Sequence, residues 1–224
     1  VVVGGGPGGL YAAWFCAARG HQVTLLEKEQ ELGGNFRIAS YPTGKGQLSE
    51  AIRSLIVKCQ KEGVDLRCGV EADEVLLRSL SPDAIILATG STPLVLPIPG
   101  LDTCGYVTAQ AMLEGRTPVG RKVLVVGGGM VGCEAAEYLA ERGHQVAIVE
   151  MKNEIAADVT PENRRYMFAN FEEHHVLLQP GAKVRQFYPD GVDYTQADGT
   201  AGALRGYDSV VLAMGSRSNA VLKE

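Results

Sequence analysis

The sequence predicts an α/β fold made of two tandem units, each a doubly wound parallel sheet within a three-layer arrangement. A glycine-rich turn joins a strand-like apolar run to a helical apolar run near residue 4, and the same pattern returns near residue 127. Each half then closes on an apolar run that ends in Ala-x-Gly, within residues 83–91 and 208–216. Alternating strand-like and helical periodicity is typical of parallel strands joined by crossover helices.

The first turn (residues 4–9) has the spacing of a dinucleotide site. Gly4 allows a sharp exit from the strand, Gly6 removes the Cβ that would keep a pyrophosphate away, and Gly9 lets helix and strand pack closely. The helix that follows aims free N–H groups at the phosphates. Glu27 ends the next strand-like run, where a carboxylate accepts hydrogen bonds from a ribose diol.

The second turn (residues 127–132) repeats the first at an offset of 123 residues. Gly127, Gly129 and Gly132 keep the glycine spacing, and Glu150 repeats the ribose-binding acid. We therefore predict two Rossmann-like domains and two bound dinucleotides.

The rest of the first half alternates between helix and strand. Residues 31–46 are too irregular for an element and too long for a plain connection, so they are expected to form a ligand-contacting loop. Apolar spacing predicts a helix over residues 47–63 and a short strand over 64–68. The apolar run 83–88 suits a central parallel strand. Three prolines within residues 91–100 predict the linker out of the first domain.

The second half continues the alternation. Thr108 is expected to cap a short helix, and Thr160 with Pro161 is expected to start a helix that ends near His174. Strands are predicted over residues 122–126, 176–178, 182–188, 192–196 and 208–213.

Composition excludes several classes of function. The chain is 46% apolar with a net charge of −5 and a pI near 5.5, which gives no electrostatic footprint for nucleic acid. No apolar run approaches the roughly 18–20 residues of a membrane span. The five cysteines are odd in number and scattered, which favours free thiols in the cytoplasm. His174 and His175 have no acid or cysteine partner, so no metal site is predicted. The chain starts on a Val inside a strand and is expected to be part of a longer protein.

The tandem layout resembles the two-dinucleotide flavoproteins, in which an NAD(P)H-binding domain is inserted in an FAD-binding domain. Gly33-Gly34-Asn35-Phe36 and residues 38–45 more narrowly resemble a module of the 2,4-dienoyl-CoA reductase, enoate reductase and trimethylamine dehydrogenase group. The resemblance covers essentially the whole chain. It implies an NADH:flavin oxidoreductase module that follows a barrel with FMN and an iron–sulfur cluster; neither the barrel nor the cluster cysteines lie within these 224 residues.

The resemblance implies an FAD-binding domain over residues 1–100, without its closing segment, and an NAD(P)H-binding domain over residues 101–224. No catalytic side chain is expected, because the chemistry belongs to the cofactors. The residues implied for FAD, or for ADP in its place, are Gly4, Gly6, Pro7, Gly8, Gly9, Glu27, Lys28, Gly34, Asn35, Val70, Ala88, Thr89 and Gly90. Those implied for NADH or NADPH are Gly127, Gly129, Met130, Val131, Gly132, Glu150, Ala213 and Gly215.

NADH is expected over NADPH because Glu150 suits a free 2′-hydroxyl and repels a 2′-phosphate, although Lys152 would partly offset that repulsion. Three other functions compete with this one. A disulfide reductase would need a redox cysteine pair, which is missing after Gly34 and in the second domain. A glutamate-synthase-like electron-transfer subunit shares the tandem layout. A non-catalytic module with ADP in its first site would only hold a larger assembly together.

Overall fold

The computed structural model describes residues 1–220 and 222, and the chain divides into two compact units. The first unit comprises Val1–Thr92 and the described residues from Arg217 onward, and the second comprises Pro93–Ser216. In chain order the second unit is therefore inserted in the first. The predicted domain limits at residues 100 and 101, and the nucleotide assigned to each domain, stay predictions.

The first unit is built on a four-stranded parallel sheet in the order β3-β2-β1-β4. Its elements are β1 (Val2–Val3), α1 (Pro7–Ala17), β2 (Thr24–Glu27), α2 (Gly34–Ile38), α3 (Gln47–Lys61), β3 (Asp65–Cys68), α4 (Glu74–Leu80), β4 (Ile86–Leu87) and β5 (Ser91–Pro93).

Helices cover both faces of this first sheet. Successive strand residues point to opposite faces, so Val2 and Leu25 meet α1 and α3, whereas Val3 and Leu26 meet Leu77 of α4. On α1, Leu10 and Ala13 face the sheet and are fully buried. The sequence pattern thus places one end of α1 beside the end of β1.

The second unit has a five-stranded parallel sheet in the order β6-β13-β7-β8-β9 and a three-stranded antiparallel sheet in the order β10-β11-β12. Its elements are α5 (Leu101–Cys104), β6 (Tyr106–Thr108), α6 (Ala109–Leu113), β7 (Lys122–Val126), α7 (Met130–Ala140), β8 (Gln145–Val149), α8 (Pro161–Glu173), β9 (Leu177–Gln179), β10 (Ala182–Tyr188), β11 (Gly191–Gln196), β12 (Ala201–Arg205) and β13 (Ser209–Leu212). The last strand, β14 (Ser216–Ser218), lies mainly in the part of the chain that returns to the first unit.

The antiparallel sheet takes the place of one helical layer in the second unit. Leu124 and Val149 of the parallel sheet share a buried cluster with Val184, Phe187 and Val192 of the antiparallel sheet. Helix α7 packs against β7 and β8, and its alanines at 135 and 136 are fully buried. The unit is therefore three-layered, with a sheet on one side and helices on the other.

Several sequence expectations need correction. Residues 34–38, predicted to be irregular, form α2. The run 83–88 yields only the two-residue strand β4, which lies at the edge of the described sheet with Ile86 37% exposed. Helix α4 and strand β12 were not predicted, because a seven-residue helix shows too few turns of periodicity and β12 is rich in Gly and Ala.

The expected helix starts in the second unit are present, but their caps differ. Thr108 accepts a hydrogen bond from the Ala111 N–H at 3.2 Å, which confirms the predicted cap of α6. Thr160 precedes α8 as expected, but its side chain makes no capping hydrogen bond. Pro161, whose missing N–H needs no partner, supplies the start signal for α8 instead.

Candidate dinucleotide-binding sites

The first turn is held between β1, α1 and β4 by close backbone contacts. Gly4 has φ 108°, a conformation that favours glycine, and its N–H donates to Leu26 O at 2.8 Å. A Cβ on Gly4 would collide with the carbonyl of Ala88, and a Cβ on Gly9 would collide with the carbonyl of Gly4. The structure thus brings Gly4, Gly9 and Ala88 together, and only glycine fits at the first two positions.

Glu27 fixes the first turn from the end of β2. The residue is 7% exposed, and its carboxylate accepts hydrogen bonds from Gly5 N–H at 2.6 Å and from Glu29 N–H at 2.9 Å. Bonds from N–H groups to a carboxylate are stronger than neutral ones. An ionised carboxylate has about four acceptor positions, so two stay available for a ribose diol.

The start of α1 faces open space. A Cβ added at Gly6 or Gly8 would meet no atom within 4 Å, and Pro7 occupies the first helical position. The Gly33 N–H donates to Gly5 O at 2.8 Å, which brings Gly34 beside Gly6. The groups required by a dinucleotide, a Cβ-free turn at a helix N-terminus and a fixed carboxylate, are therefore present, and the residues fit FAD or ADP.

The remaining residues expected at the first site differ in their contacts with the turn. The Val70 N–H donates to Glu27 O at 2.8 Å, so its backbone lies beside the carboxylate residue. The Asn35 side chain donates to Ser91 O at 3.5 Å. Lys28 is exposed, and its side chain has no described role in holding the turn.

Asn219 is a neighbour of the first site that the sequence did not reveal. Its side-chain N–H donates to Thr89 O at 2.7 Å, its backbone N–H donates to Gly90 O at 2.9 Å, and its carbonyl accepts from the Thr89 hydroxyl at 3.2 Å. Asn219 therefore fixes the segment that follows β4. A lone Asn 130 residues away carries no sequence signal for such a contact.

The second turn repeats the glycine and carboxylate contacts of the first. Gly127 has φ 109°, and a Cβ on Gly132 would collide with the Gly127 carbonyl. Glu150 is 8% exposed and accepts from Gly128 N–H at 2.6 Å and from Lys152 N–H at 2.8 Å. The turn and its fixed carboxylate therefore fit a second dinucleotide, as they do at the first site.

The surroundings of the second turn also follow the first. The Ala213 N–H donates to Val126 O at 2.8 Å, as the Ala88 N–H does to Val3 O. Gly215 has φ 97°, and its carbonyl accepts a hydrogen bond from Leu94 N–H at 2.9 Å.

The starts of α1 and α7 differ in one respect. Met130 and Val131 are 45% and 52% exposed at the start of α7. The Met130 N–H is not open to a ligand, because it donates to the Asp158 carboxylate at 2.8 Å. Asp158 was not predicted as a site residue. Continuing the offset of 123 beyond Glu150 would have paired it with Asn35.

The cysteines in the described part of the chain are all free thiols. Cys133 is fully buried beside the second turn and its Sγ donates to Gly128 O at 3.3 Å. Burial raises the pKa of this thiol to about 12, with a smaller contribution from the Asp158 charge. Cys133 is therefore a packing residue rather than a nucleophile.

Within residues 1–220 and 222, no group of three or more His, Cys, Asp or Glu side chains is arranged to hold a metal ion. In the same residues, no helix is both long and apolar enough to span a bilayer.

Comparison with known proteins identifies the family. The model of the pyridine nucleotide-disulphide oxidoreductase family matches residues 1–224, and the chain belongs to this family. An NADH oxidase of Thermoanaerobacter brockii is 42% identical over 219 residues, which cover 96% of this chain and 34% of the relative. A bilirubin reductase of Mediterraneibacter gnavus is 39% identical over 219 residues, with coverage of 98% and 34%.

Solved structures agree with the sequence relatives. A complex of 2-naphthoyl-CoA reductase with 2-naphthoyl-CoA superposes with a TM-score of 0.93 at 29% identity, covering 99% of this chain and 34% of the other. Histamine dehydrogenase from Rhizobium sp. 4-9 has a TM-score of 0.88 at 21% identity, which shows the shared fold. The chain spans about a third of the length of the two reductases and the oxidase. These relatives fit the resemblance to the 2,4-dienoyl-CoA reductase, enoate reductase and trimethylamine dehydrogenase group.

Proposed function

We propose that the chain passes electrons from NADH, held at the second turn, to FAD, held at the first turn, and onward to a second redox centre elsewhere in a longer protein. The observation that carries the proposal is the duplicated carboxylate: Glu27 and Glu150 each accept two backbone N–H bonds, and an ionised carboxylate can accept about four. A purely structural glycine turn does not require such an acid. The presence of one such acid at each turn supports the binding of two adenine-containing cofactors.

The residues of the first site would bind and orient rather than react. Gly4, Gly6, Gly9 and the start of α1 would hold the pyrophosphate of FAD, and Glu27 would hold its ribose. Lys28, Gly34, Asn35, Val70 and residues 88–90 would complete the site. When bound, flavin and nicotinamide supply the hydride chemistry, so the chain itself needs no acid or base.

Glu150 supports a preference for NADH at the second site. Its carboxylate is held in place by two backbone N–H groups, so it is not free to swing away from an additional phosphate. A 2′-phosphate on NADPH would place negative charge against this carboxylate. Lys152 follows two residues later and is exposed, which moderates the preference rather than reversing it.

The proposed partner is a barrel domain or subunit with FMN and an iron–sulfur cluster. The relatives' additional length supports this, because 34% coverage leaves room for a large further domain. A cytoplasmic location is part of the proposal, since the described cysteines are free thiols and none forms a disulfide.

Anaerobic addition of NADH to the purified protein tests the proposal. We expect the protein to retain FAD and its visible absorption to bleach when NADH is added, more readily than with NADPH. Protein that carries only ADP and shows no flavin band would support the non-catalytic module instead. Retained FAD that neither nicotinamide nucleotide reduces would overturn the proposed electron path.

A further inference from the structure

The N-terminus of α7 carries a negative group of its own. Asp158 lies in the loop between β8 and α8, and its Oδ1 accepts a hydrogen bond from the Met130 N–H at 2.8 Å. Met130 is the first residue of α7, where free N–H groups and the helix dipole favour an anion. The carboxylate of Asp158 therefore occupies the kind of position that a nucleotide phosphate takes in a dinucleotide site.

The first turn provides the comparison. A Cβ at Gly6 would meet no atom within 4 Å, whereas a Cβ at Gly129, its counterpart at the offset of 123, would lie 3.3 and 3.6 Å from the Asp158 oxygens. Pro7, the counterpart of Met130, has no N–H to cap. The counterpart of Asp158 is the uncharged Asn35. The same space is thus open in one site and occupied by a carboxylate in the other.

The loop that carries Asp158 is fixed against the second turn. The Ala156 N–H donates to Gly128 O at 2.7 Å, matching the bond from Gly33 to Gly5 in the first unit. Ala156 is fully buried with φ 55°, and Ile155 beside it is 3% exposed. Asp158 is itself exposed, but the packed turn beneath it holds it at the start of α7.

We infer that Asp158 is an internal counter-anion that competes with the pyrophosphate of NADH for the N-terminus of α7. Binding of the nucleotide then breaks the bond from Met130 to Asp158 or brings two negative groups together. Either event weakens binding. The residue thereby sets the affinity of the second site and favours release of the nucleotide. This inference rests on the proposed assignment of the second turn to NADH.

The variant Asp158→Asn tests the competition directly. Asparagine keeps an oxygen that caps Met130 but removes the charge, so the fold is retained. Because Asp158 is exposed, its charge acts on the helix N-terminus with only surface strength, so we expect NADH to bind about twofold to fivefold more tightly. The gain should shrink as ionic strength rises.

The measurement is the dissociation constant of NADH by calorimetry, on protein whose first site is filled with FAD or ADP. Adenosine, which has no phosphate, serves as a second probe and should bind the two proteins equally. Glu162→Gln is the matched control, because Glu162 is an exposed acid in the first turn of a different helix, α8. The thermal midpoint without NADH reports any structural loss.

The outcomes separate the inference from the proposed function. Tighter NADH binding by Asp158→Asn, with unchanged adenosine affinity and no gain for Glu162→Gln, supports the counter-anion. Equal NADH affinity in wild type and Asp158→Asn overturns it and leaves Asp158 a structural cap, while the proposed function stands. Failure of both proteins to bind NADH overturns both claims.

Discussion

Glu27 and Glu150 are nearly buried, yet each has both carboxylate oxygens bonded to backbone N–H groups, so neither leaves an uncompensated charge. Each residue therefore fixes its turn in the free protein and keeps acceptor positions for a ligand. The same side chain thus fixes the fold and belongs to the proposed binding site.

Replacing Glu150 with Gln should weaken both roles. Glutamine is uncharged, so neither bond remains charge-assisted. Its amide oxygen still accepts one N–H, but its NH₂ group faces the other N–H, which is left without an acceptor. We expect the free energy of unfolding to fall by about 1–3 kcal/mol and NADH to bind at least about tenfold more weakly. Urea denaturation and NADH titration measure the two effects. Unchanged NADH affinity alongside reduced stability would contradict a ligand-binding role for Glu150.

Cys133 gives a prediction about pH. Burial raises the pKa of its thiol from 9.0 to about 12, so above pH 9 the folded protein keeps a proton that the unfolded chain has released. Stability contributed by this thiol is therefore present below pH 9 and falls as pH rises toward 12, by about 1.4 kcal/mol per pH unit.

Urea denaturation at several pH values, for wild type and Cys133→Ala, isolates that contribution. The thiols of Cys59, Cys68 and Cys104 also have raised pKa values, so they too lower the free energy of unfolding as pH rises. Only the difference between wild type and Cys133→Ala therefore belongs to Cys133. Parallel stability curves between pH 9 and 12 would contradict the prediction.

At the scale of elements, the glycines within one turn have different structural roles. Gly9 and Gly132 allow a helix to lie against the preceding turn, since a Cβ at either would strike a backbone carbonyl. Gly6 has open space in front of it and φ −72°, which any residue adopts. Packing and ligand access are thus separable within one turn.

Gly6→Ala and Gly9→Ala form a matched pair. Gly6→Ala should keep the unfolding free energy within about 1 kcal/mol of wild type and lose FAD, because its methyl group enters the space meant for the pyrophosphate. Gly9→Ala should cost about 3 kcal/mol or more, since helix and strand must separate. Thermal unfolding and the amount of FAD retained distinguish them. Full retention of FAD by Gly6→Ala would refute the assigned pyrophosphate position.

Local sequence signals explain which elements were predictable. The turns, α3 and β7 follow from glycine spacing and apolar periodicity within short windows, and their bounds agree with the structure to within two residues. The two-residue strand β4 was not predictable as an edge strand, because its place depends on which strands pair beside it. Asp158 and Asn219 escaped prediction since their contacts are made across 28 and 130 residues of chain.

At the scale of the whole molecule, one chain carries two copies of a glycine turn with a bonded carboxylate. The copies share turn geometry, carboxylate bonds and the strand that follows, but differ at the N-terminus of the first helix, where one has Pro7 and the other has Met130 bonded to Asp158. This difference predicts a tightly retained nucleotide at the first turn and an exchangeable one at the second.

Counting adenine nucleotides on the purified protein tests most directly whether the two turns form two nucleotide sites. Mass spectrometry of the nucleotide released on denaturation, combined with calorimetric titration of NADH into the native protein, gives the occupancy of each site. We expect one retained FAD or ADP and one further site that binds NADH reversibly. A total of one site, or a single nucleotide that NADH displaces, would contradict the two-site assignment.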